Sequence, residues 1–338
     1  MANPNSRQST AKPELVYARQ GAMKTNSMYI GIDVSKKTLH VGSPIKFLLE
    51  VSNNGSGHQE LIEFLKGQEL LGVVLEASGG YERAVCDALQ DAEVPVSVCQ
   101  PSCIRHFAKS IKVLAKTDKI DAVLIARFGE AVRPPATPKT PENTRKIRAL
   151  MDRRQQVVED RVRESNRLQT CVDPQIAKQI KASIKQLQKV EDKLEYQLQC
   201  FIQEDEELKA KTHSLMKQKG VGLLTARTLL ANMPELGSLS RQQVAALAGL
   251  APYPRESGSW KGKRKIFGGR AEVRKEMFMA AKTAARWCPV ISQFYKSLRA
   301  QGKPYKVAIV ACARKMLIYA NTGLKEFAEK ESQIASEA

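Results

Sequence analysis

Apolar residues alternate or cluster in short runs over the first third of the chain, then step by threes and fours. MYIGID (28–33), KKTLHVGS (36–43) and PIKFLLEVS (44–52) read as three strands of a meander. Residues 55–66 set Leu61, Ile62 and Leu65 at helical spacing, and LLGVVLE (70–76) has the Val and Leu density of a strand buried on both faces. The turn Ala77-Ser78-Gly79-Gly80 leads into a helix carrying Ala84, Val85, Ala88 and Leu89. VPVSVCQP (94–101) predicts a further strand, stopped by Pro101. A basic stretch from Arg105 to Lys119 precedes a helix over about 117–130, with Ile120, Val123, Leu124 and Phe128 as its buried face. Prolines 134, 135, 138 and 141 then break the chain. Strands mixed with helices predict an α/β domain over 28–135.

The middle of the chain follows another rule. Residues 144–171 and 175–210 hold almost no Gly or Pro, and Asp173-Pro174 separates them. Ile176, Ile180, Ile184, Leu187, Val190, Leu194, Leu198 and Phe201 make one apolar stripe, which calls for a helical hairpin or an intermolecular coiled coil over 144–212. A spacer helix with no role in self-association is the alternative. A mostly helical domain is expected over 213–325, opening on Gly220-Val221-Gly222 and closing on a helix-rich stretch from Glu272 to Tyr319. Residues 1–27 and 326–338 read as flexible polar tails.

Charge narrows the function. The 338 residues carry 54 Lys+Arg against 35 Asp+Glu, a formal net charge of +19. Such a surplus favours a polyanionic partner, most simply nucleic acid; a basic surface serving only solubility is the bland alternative. No apolar run reaches the ~18 residues of a membrane span. The first 27 residues lack an apolar signal core, and the seven cysteines form no CxxC. These features predict a reduced, cytoplasmic protein without a membrane role. Cys99, Cys103 and His106 lack the fourth ligand and the spacing of a zinc site, and no Walker phosphate loop occurs.

Two groups of residues carry candidate chemistry. Asp33 ends the first strand and Glu76 ends LLGVVLE, where α/β sheets gather ligands. Asp118 and Asp121 stand three apart at a helix start, on one face. Converging carboxylates repel unless a cation lies among them, and hard oxygen donors suit Mg²⁺ or Mn²⁺ in phosphoryl transfer. A turn residue or a partner for the helix dipole would account for each acid singly. The second group is YPRESGSWKGKRKIFGGRAEVRK (253–275), where Arg255, Lys261, Lys263, Arg264, Lys265 and Arg270 are interleaved with Tyr253, Trp260 and Phe267. That mixture suits phosphate contact and base stacking, as do Lys109, Lys112 and Lys116 in the earlier basic stretch. On composition alone, Ser257 is more simply a Ser-Gly turn on a binding loop than a nucleophile. Gly220-Val221-Gly222 before a helix fits half of a DNA-binding helical hairpin or a plain interhelical turn.

The pieces YIGIDVSKKTLHV, VLEASGGYE, KTDKIDAVLIA, GVGLLTA and ALAGLAPYPRESGSWKGK, in this order over about 28–325, resemble the DEDD transposases of insertion sequences, the Piv-like, IS-one-ten type. The resemblance implies a RuvC-like domain of RNase H fold, a coiled-coil spacer and a helical C-terminal transposase domain. It implies a metal-binding tetrad at Asp33, Glu76, Asp118 and Asp121 and a nucleophilic serine at Ser257. It further implies DNA as substrate, a structured guide RNA, and assembly as a dimer or tetramer. Lys219-Gly220-Val221-Gly222 departs from the family's usual Pro-Gly-Ile-Gly turn. The expected function is excision and insertion of a mobile element through a phosphoserine link. The rivals are a metal-dependent nuclease or junction resolvase with water as nucleophile, and a non-catalytic nucleic-acid scaffold. A tyrosine recombinase finds no matching setting, with Tyr253 the nearest candidate.

Overall fold

The computed structural model describes residues 27–113, 115, 117–254, 256–257 and 260–337. The chain divides into two compact units, Met1–Lys139 and Thr140–Ala338. The expected tail over 1–27 lies, but for Ser27, outside the described residues.

The first unit opens on an antiparallel meander, β1 (Met28–Val34), β2 (Thr38–Gly42) and β3 (Phe47–Ser52), followed by α1 (Gly55–Lys66). Then come β4 (Leu70–Glu76), α2 (Glu82–Asp91), β5 (Val96–Cys99), α3 (Pro101–Ser110) and α4 (Asp118–Val132). The sheet order is β3-β2-β1-β4-β5, with β4 parallel to β1 and β5 parallel to β4. This mixed α/β unit is consistent with the expected RuvC-like fold. Pro101 does more than stop a strand: it stands in the first turn of α3, where its missing N–H costs nothing, so part of the basic stretch is helical.

Strand alternation divides the sheet's two faces. Ile30, Ile32 and Val34 join Leu39, Val41, Leu61, Leu75 and Leu89 in one core. Tyr29, Gly31 and Asp33 therefore point the other way, toward α4. The paired Gly31 and Gly42 let that helix lie directly on the strands. A Cβ at Gly31 would overlap the Ala126 amide nitrogen and the Ala122 carbonyl oxygen, and one at Gly42 would come within 2.8 Å of the Ala122 carbonyl carbon. Arg127 Nε donates to the Pro44 carbonyl oxygen at 2.7 Å, and the Lys119 ammonium stands 4.9 Å from the Phe47 ring centre. The buried residues of α4 are Ala122, Leu124, Ile125, Ala126, Phe128 and Gly129, with Ile120 exposed. Ala122 and Ala126 meet the sheet while Leu124 and Phe128 meet α3 residues, so the expected face is rotated.

The second unit begins with α5 (Glu142–Thr170) and α6 (Pro174–Glu204), an antiparallel hairpin. Asp173 caps α6 by accepting from the Gln175 and Ile176 amides at 2.7 and 2.9 Å. The apolar stripe drifts as a 3.6-residue helix must. Glu191, Leu194, Leu198 and Ile202 are the buried positions, Val190 and Ile176 are exposed, and Phe201 is half-buried. Glu191 pairs with Arg154 and Arg161, while Glu195 pairs with Arg154 and Arg227. The remaining elements are α7 (Glu206–Met216), α8 (Leu223–Asn232), α9 (Arg241–Leu247), the short strands β6 (Pro252–Tyr253), β7 (Glu256–Ser257), β8 (Trp260–Lys261) and β9 (Lys265–Ile266), then α10 (Ala271–Trp287), α11 (Pro289–Ala300) and α12 (Tyr305–Glu337). The last helix runs on through 326–337, where a polar tail was expected. Its stretch Tyr305–Lys330 is long and apolar enough to cross a membrane by length and composition, but half of the tested window is buried. Ile309, Cys312, Ala313, Met316 and Leu317 lie within the core of this unit.

Strands β6–β9 form an arm that begins at Gly249 and returns at Gly268-Gly269. A Cβ at Gly249 would overlap the Gly268 carbonyl oxygen, and one at Gly269 would overlap the Gly249 amide. Both residues have positive φ, +67° and +69°, so glycine is needed twice over. Arg270 locks the same point: its two terminal nitrogens each donate to Glu235 at 2.7 Å, a bidentate pair. Burial raises the Glu235 carboxyl, but the Arg270 hydrogen bonds, a backbone hydrogen bond and the Arg270 and Arg148 charges together outweigh it and hold the group below its ordinary value.

Two stability tests follow. Gly31→Ala forces α4 off the sheet and should cost about 1–3 kcal/mol or more, read as a lower melting temperature. Glu235→Gln should cost about 1–3 kcal/mol at neutral pH. Because the folded pKa is depressed, that contribution is complete above the ordinary 4.5 and disappears as pH falls through the lowered value. The gap in melting temperature between wild type and variant should therefore close on acidification.

Candidate active site

Asp33 lies near the end of β1 and Glu76 at the end of the neighbouring parallel strand β4. The register pairs Ile32 with Leu75, and one further step sets the two acids side by side. Val74, two residues before Glu76, packs with Leu124, Ile125 and Phe128, so the alternation turns Glu76 toward α4 as well. Thr117 caps α4, its hydroxyl accepting from the Ile120 amide at 3.3 Å, and the helix begins at Asp118. Asp118 and Asp121 thus stand at the end of α4 that overlies the strand ends. Asp33, Glu76, Asp118 and Asp121 all line one cavity of about 410 Å³.

Arg105 and Lys109 of α3 line the same cavity, with Ile104, Ala108 and Leu124 as apolar wall. Anionic and cationic side chains therefore face one space, which suits a phosphate bridged to carboxylates through a cation. In chemical type, four carboxylates fit a hard divalent ion. Among the described residues no three His, Cys, Asp or Glu side chains are drawn together tightly enough to enclose one. Asp33, Glu76 and Asp121 each engage a further partner.

A residue that sequence reasoning missed shapes the turn after Glu76. One Glu82 carboxylate oxygen accepts from the Ser78 amide at 2.9 Å, the Ser78 hydroxyl at 3.1 Å and the Gly80 amide at 2.8 Å. Burial would raise this carboxyl; the backbone and Ser78 hydrogen bonds prevail and lower it. The signal available in sequence was the Ser78-x-x-x-Glu82 spacing around a Gly-Gly turn, a local acid returning to cap backbone amides.

The second group of candidates sits on the arm of the second unit. Ser257 lies in β7, pairs with Trp260 and is exposed. Gly258, the other half of the expected Ser-Gly turn, lies outside the described residues. Lys263, Arg264 and Lys265 are exposed there, as are Lys109 and Lys112 on the first unit. Lys116 and Arg255 lie outside the described residues, and for Trp260 and Lys261 only the backbone is described. Arg270 does not present itself to a ligand, because Glu235 occupies its guanidinium. Other arginines of this unit are likewise engaged: Arg154 and Arg161 of α5 pair with acids of α6, and Arg148 Nε donates to the Ala231 carbonyl oxygen at 2.9 Å.

Comparisons with known proteins give the chain's relatives. Residues 30–177 match the transposase model of the DEDD, IS110 type, and residues 212–296 match that of the Transposase IS116/IS110/IS902 family. The pilin gene-inverting proteins of Moraxella bovis and Moraxella lacunata are each 29% identical over 301 residues, 86% of this chain and 93% of theirs. An uncharacterized 43.6 kDa protein of insertion element IS110 from Streptomyces coelicolor is 31% identical over 105 residues, 30% of this chain and 26% of that protein. The family implies dependence on a divalent cation and binding to DNA. With two family models matched in order along the chain, it belongs to the IS110-type DEDD transposases and is a DNA transposase/recombinase.

Proposed function

We propose that Asp33, Glu76, Asp118 and Asp121 are the catalytic carboxylates, and Ser257 the nucleophile, of a strand exchange that excises and inserts an insertion sequence. The observation that carries this reading is the meeting of four carboxylates with Arg105 and Lys109 on one cavity, in a chain of transposase family. A divalent cation held by the four carboxylates, Mg²⁺ or Mn²⁺, would neutralise the scissile phosphate and make its phosphorus more electrophilic. Arg105 and Lys109 would bind the neighbouring phosphate oxygens. The Ser257 Oγ forms its bond to phosphorus as the bond to one deoxyribose oxygen breaks. The serine proton is released, and the departing oxygen leaves as a hydroxyl. The resulting phosphoserine ester conserves the bond energy, so attack by a hydroxyl of the exchanged strand rejoins DNA without nucleotide hydrolysis.

The same reading treats 28–135 as the carboxylate domain, 144–212 as a spacer and 213–325 as the serine-bearing domain. Exposed Lys112, Lys263, Arg264 and Lys265 would follow DNA and an element-encoded guide RNA through phosphate contacts. Assembly as a dimer or tetramer would cover the exposed Val172 and Ile176 of the hairpin. The setting is the cytoplasm, at the nucleoid.

A suicide DNA substrate nicked beside the cut traps the covalent product. Wild type should give a protein–DNA adduct, absent in Ser257→Ala and reduced about a hundredfold or more in Asp121→Asn. Hydrolysed DNA with no adduct in wild type would instead assign the chemistry to water, and adduct in Ser257→Ala would exclude this serine.

A further inference from the structure

A groove of about 510 Å³ lies at the root of the arm, within the second unit. Its apolar surface is made by Leu250 and Ile266 of the arm, Phe278 of α10, and Val307 and Val310 of α12. Arg264, Lys265, Lys306 and Arg314 surround it, and among the described residues no acid lines it. Arg314 Nε is buried without a hydrogen-bond partner among the described residues. Val307 is 53% exposed although its helix supplies the core. The groove is also preformed, because the close approach of Gly249 to Gly268 and Gly269, with the Arg270–Glu235 pair, fixes where the arm leaves the helices.

Neither half of this surface explains the other unless the occupant is itself divided. An apolar peptide side chain would match the floor and leave four cations unanswered. A phosphodiester would answer the cations and waste the floor. A nucleobase on its own backbone has both parts, flat apolar faces and flanking anions, and Phe278 offers a ring against which a base can stack. We propose that this groove takes one unstacked nucleobase of the DNA strand cut at Ser257, with the rim cations holding its flanking phosphates. This rests on the function proposed above, because it ties the groove to the cut. Ser257 is five residues along the chain from Pro252, a span of at most about 17 Å. The bound base therefore lies within about four nucleotides of the cleaved phosphate, since an unstacked strand advances by more than the ~3.4 Å of each duplex step.

The test uses the full-length protein, the element's transcript and DNA spanning an element end, with 2-aminopurine placed singly at each of the four positions on either side of the cut. One position should brighten severalfold on binding. Ala311→Trp, which fills the groove and leaves every charge in place, should abolish that rise and weaken binding by about tenfold. Should Ala311→Trp fail to fold, 5-iodouracil at the same positions in the wild-type complex supplies the second measurement. Its photo-adduct should map to peptides within 271–287 or 305–314. No rise at any position together with adducts elsewhere overturns the proposal. So does a response that Ala311→Trp leaves intact, or a loss of oligomer mass in that variant with the DNA response unchanged. Serine–DNA adduct measured in the same samples separates the two readings: adduct without a rise sinks the groove alone, and a rise without adduct sinks only the assignment of Ser257.

Discussion

The architecture of the carboxylate cavity depends on how closely α4 can approach the sheet. Side chains ordinarily hold a helix axis well away from the strands beneath it. Here Gly31 and Gly42, paired across β1 and β2, remove them at the contact, and the backbone at Ala122 and Ala126 rests on the strands. Once that separation is set, the end of α4 has little choice of position. Asp118, one turn before Ala122, and Asp121, the residue next to it, line the same cavity as Asp33 at the end of β1. The cavity thus inherits its geometry from two missing methyl groups on the neighbouring strands.

A similar device governs the second unit. Gly249, Gly268 and Gly269 bring the two ends of the arm into backbone contact, and the Arg270–Glu235 fork closes the junction. Both units therefore use glycine to fix the origin of a segment that carries candidate reactive groups. They differ in what is held: a helix end bearing acids in one, a ribbon bearing a hydroxyl and cations in the other. Ser257 is exposed in the short strand β7, as the proposed role toward a macromolecular substrate requires.

The net charge of +19 is not spread evenly over useful surface. Arg148, Arg154, Arg161, Arg227 and Arg270 point into the protein, where carboxylates and carbonyl oxygens accept from them. Arginine suits that task because its planar fork keeps several donors aligned while its charge is retained. Exposed cations remain on α3, along the arm and around the groove at its root, and also along α6 at Lys178, Lys181, Lys185, Lys189 and Lys193. Lysine predominates on these outer surfaces, consistent with contacts to phosphate that need charge more than fixed geometry.

Much of this was legible in the chain itself. The meander, the buried strand ending in Glu76, the Asp173-Pro174 break and the long hairpin helices follow from local periodicity and capping, which act over a few residues. The carboxylates could be picked out because each stands at an element's end. What the sequence could not decide was how elements separated by tens of residues meet. Glu82 capping the turn after Glu76, Glu191 replacing Val190 on the buried side of α6, and Arg270 withdrawn from ligand all depend on a partner brought close by folding. The rotated face of α4 has the same origin, since the glycines that admit it lie on other strands. Periodicity states which positions turn inward on average. Only the packed tertiary structure determines which neighbour each one meets, and therefore which charges remain for the substrate.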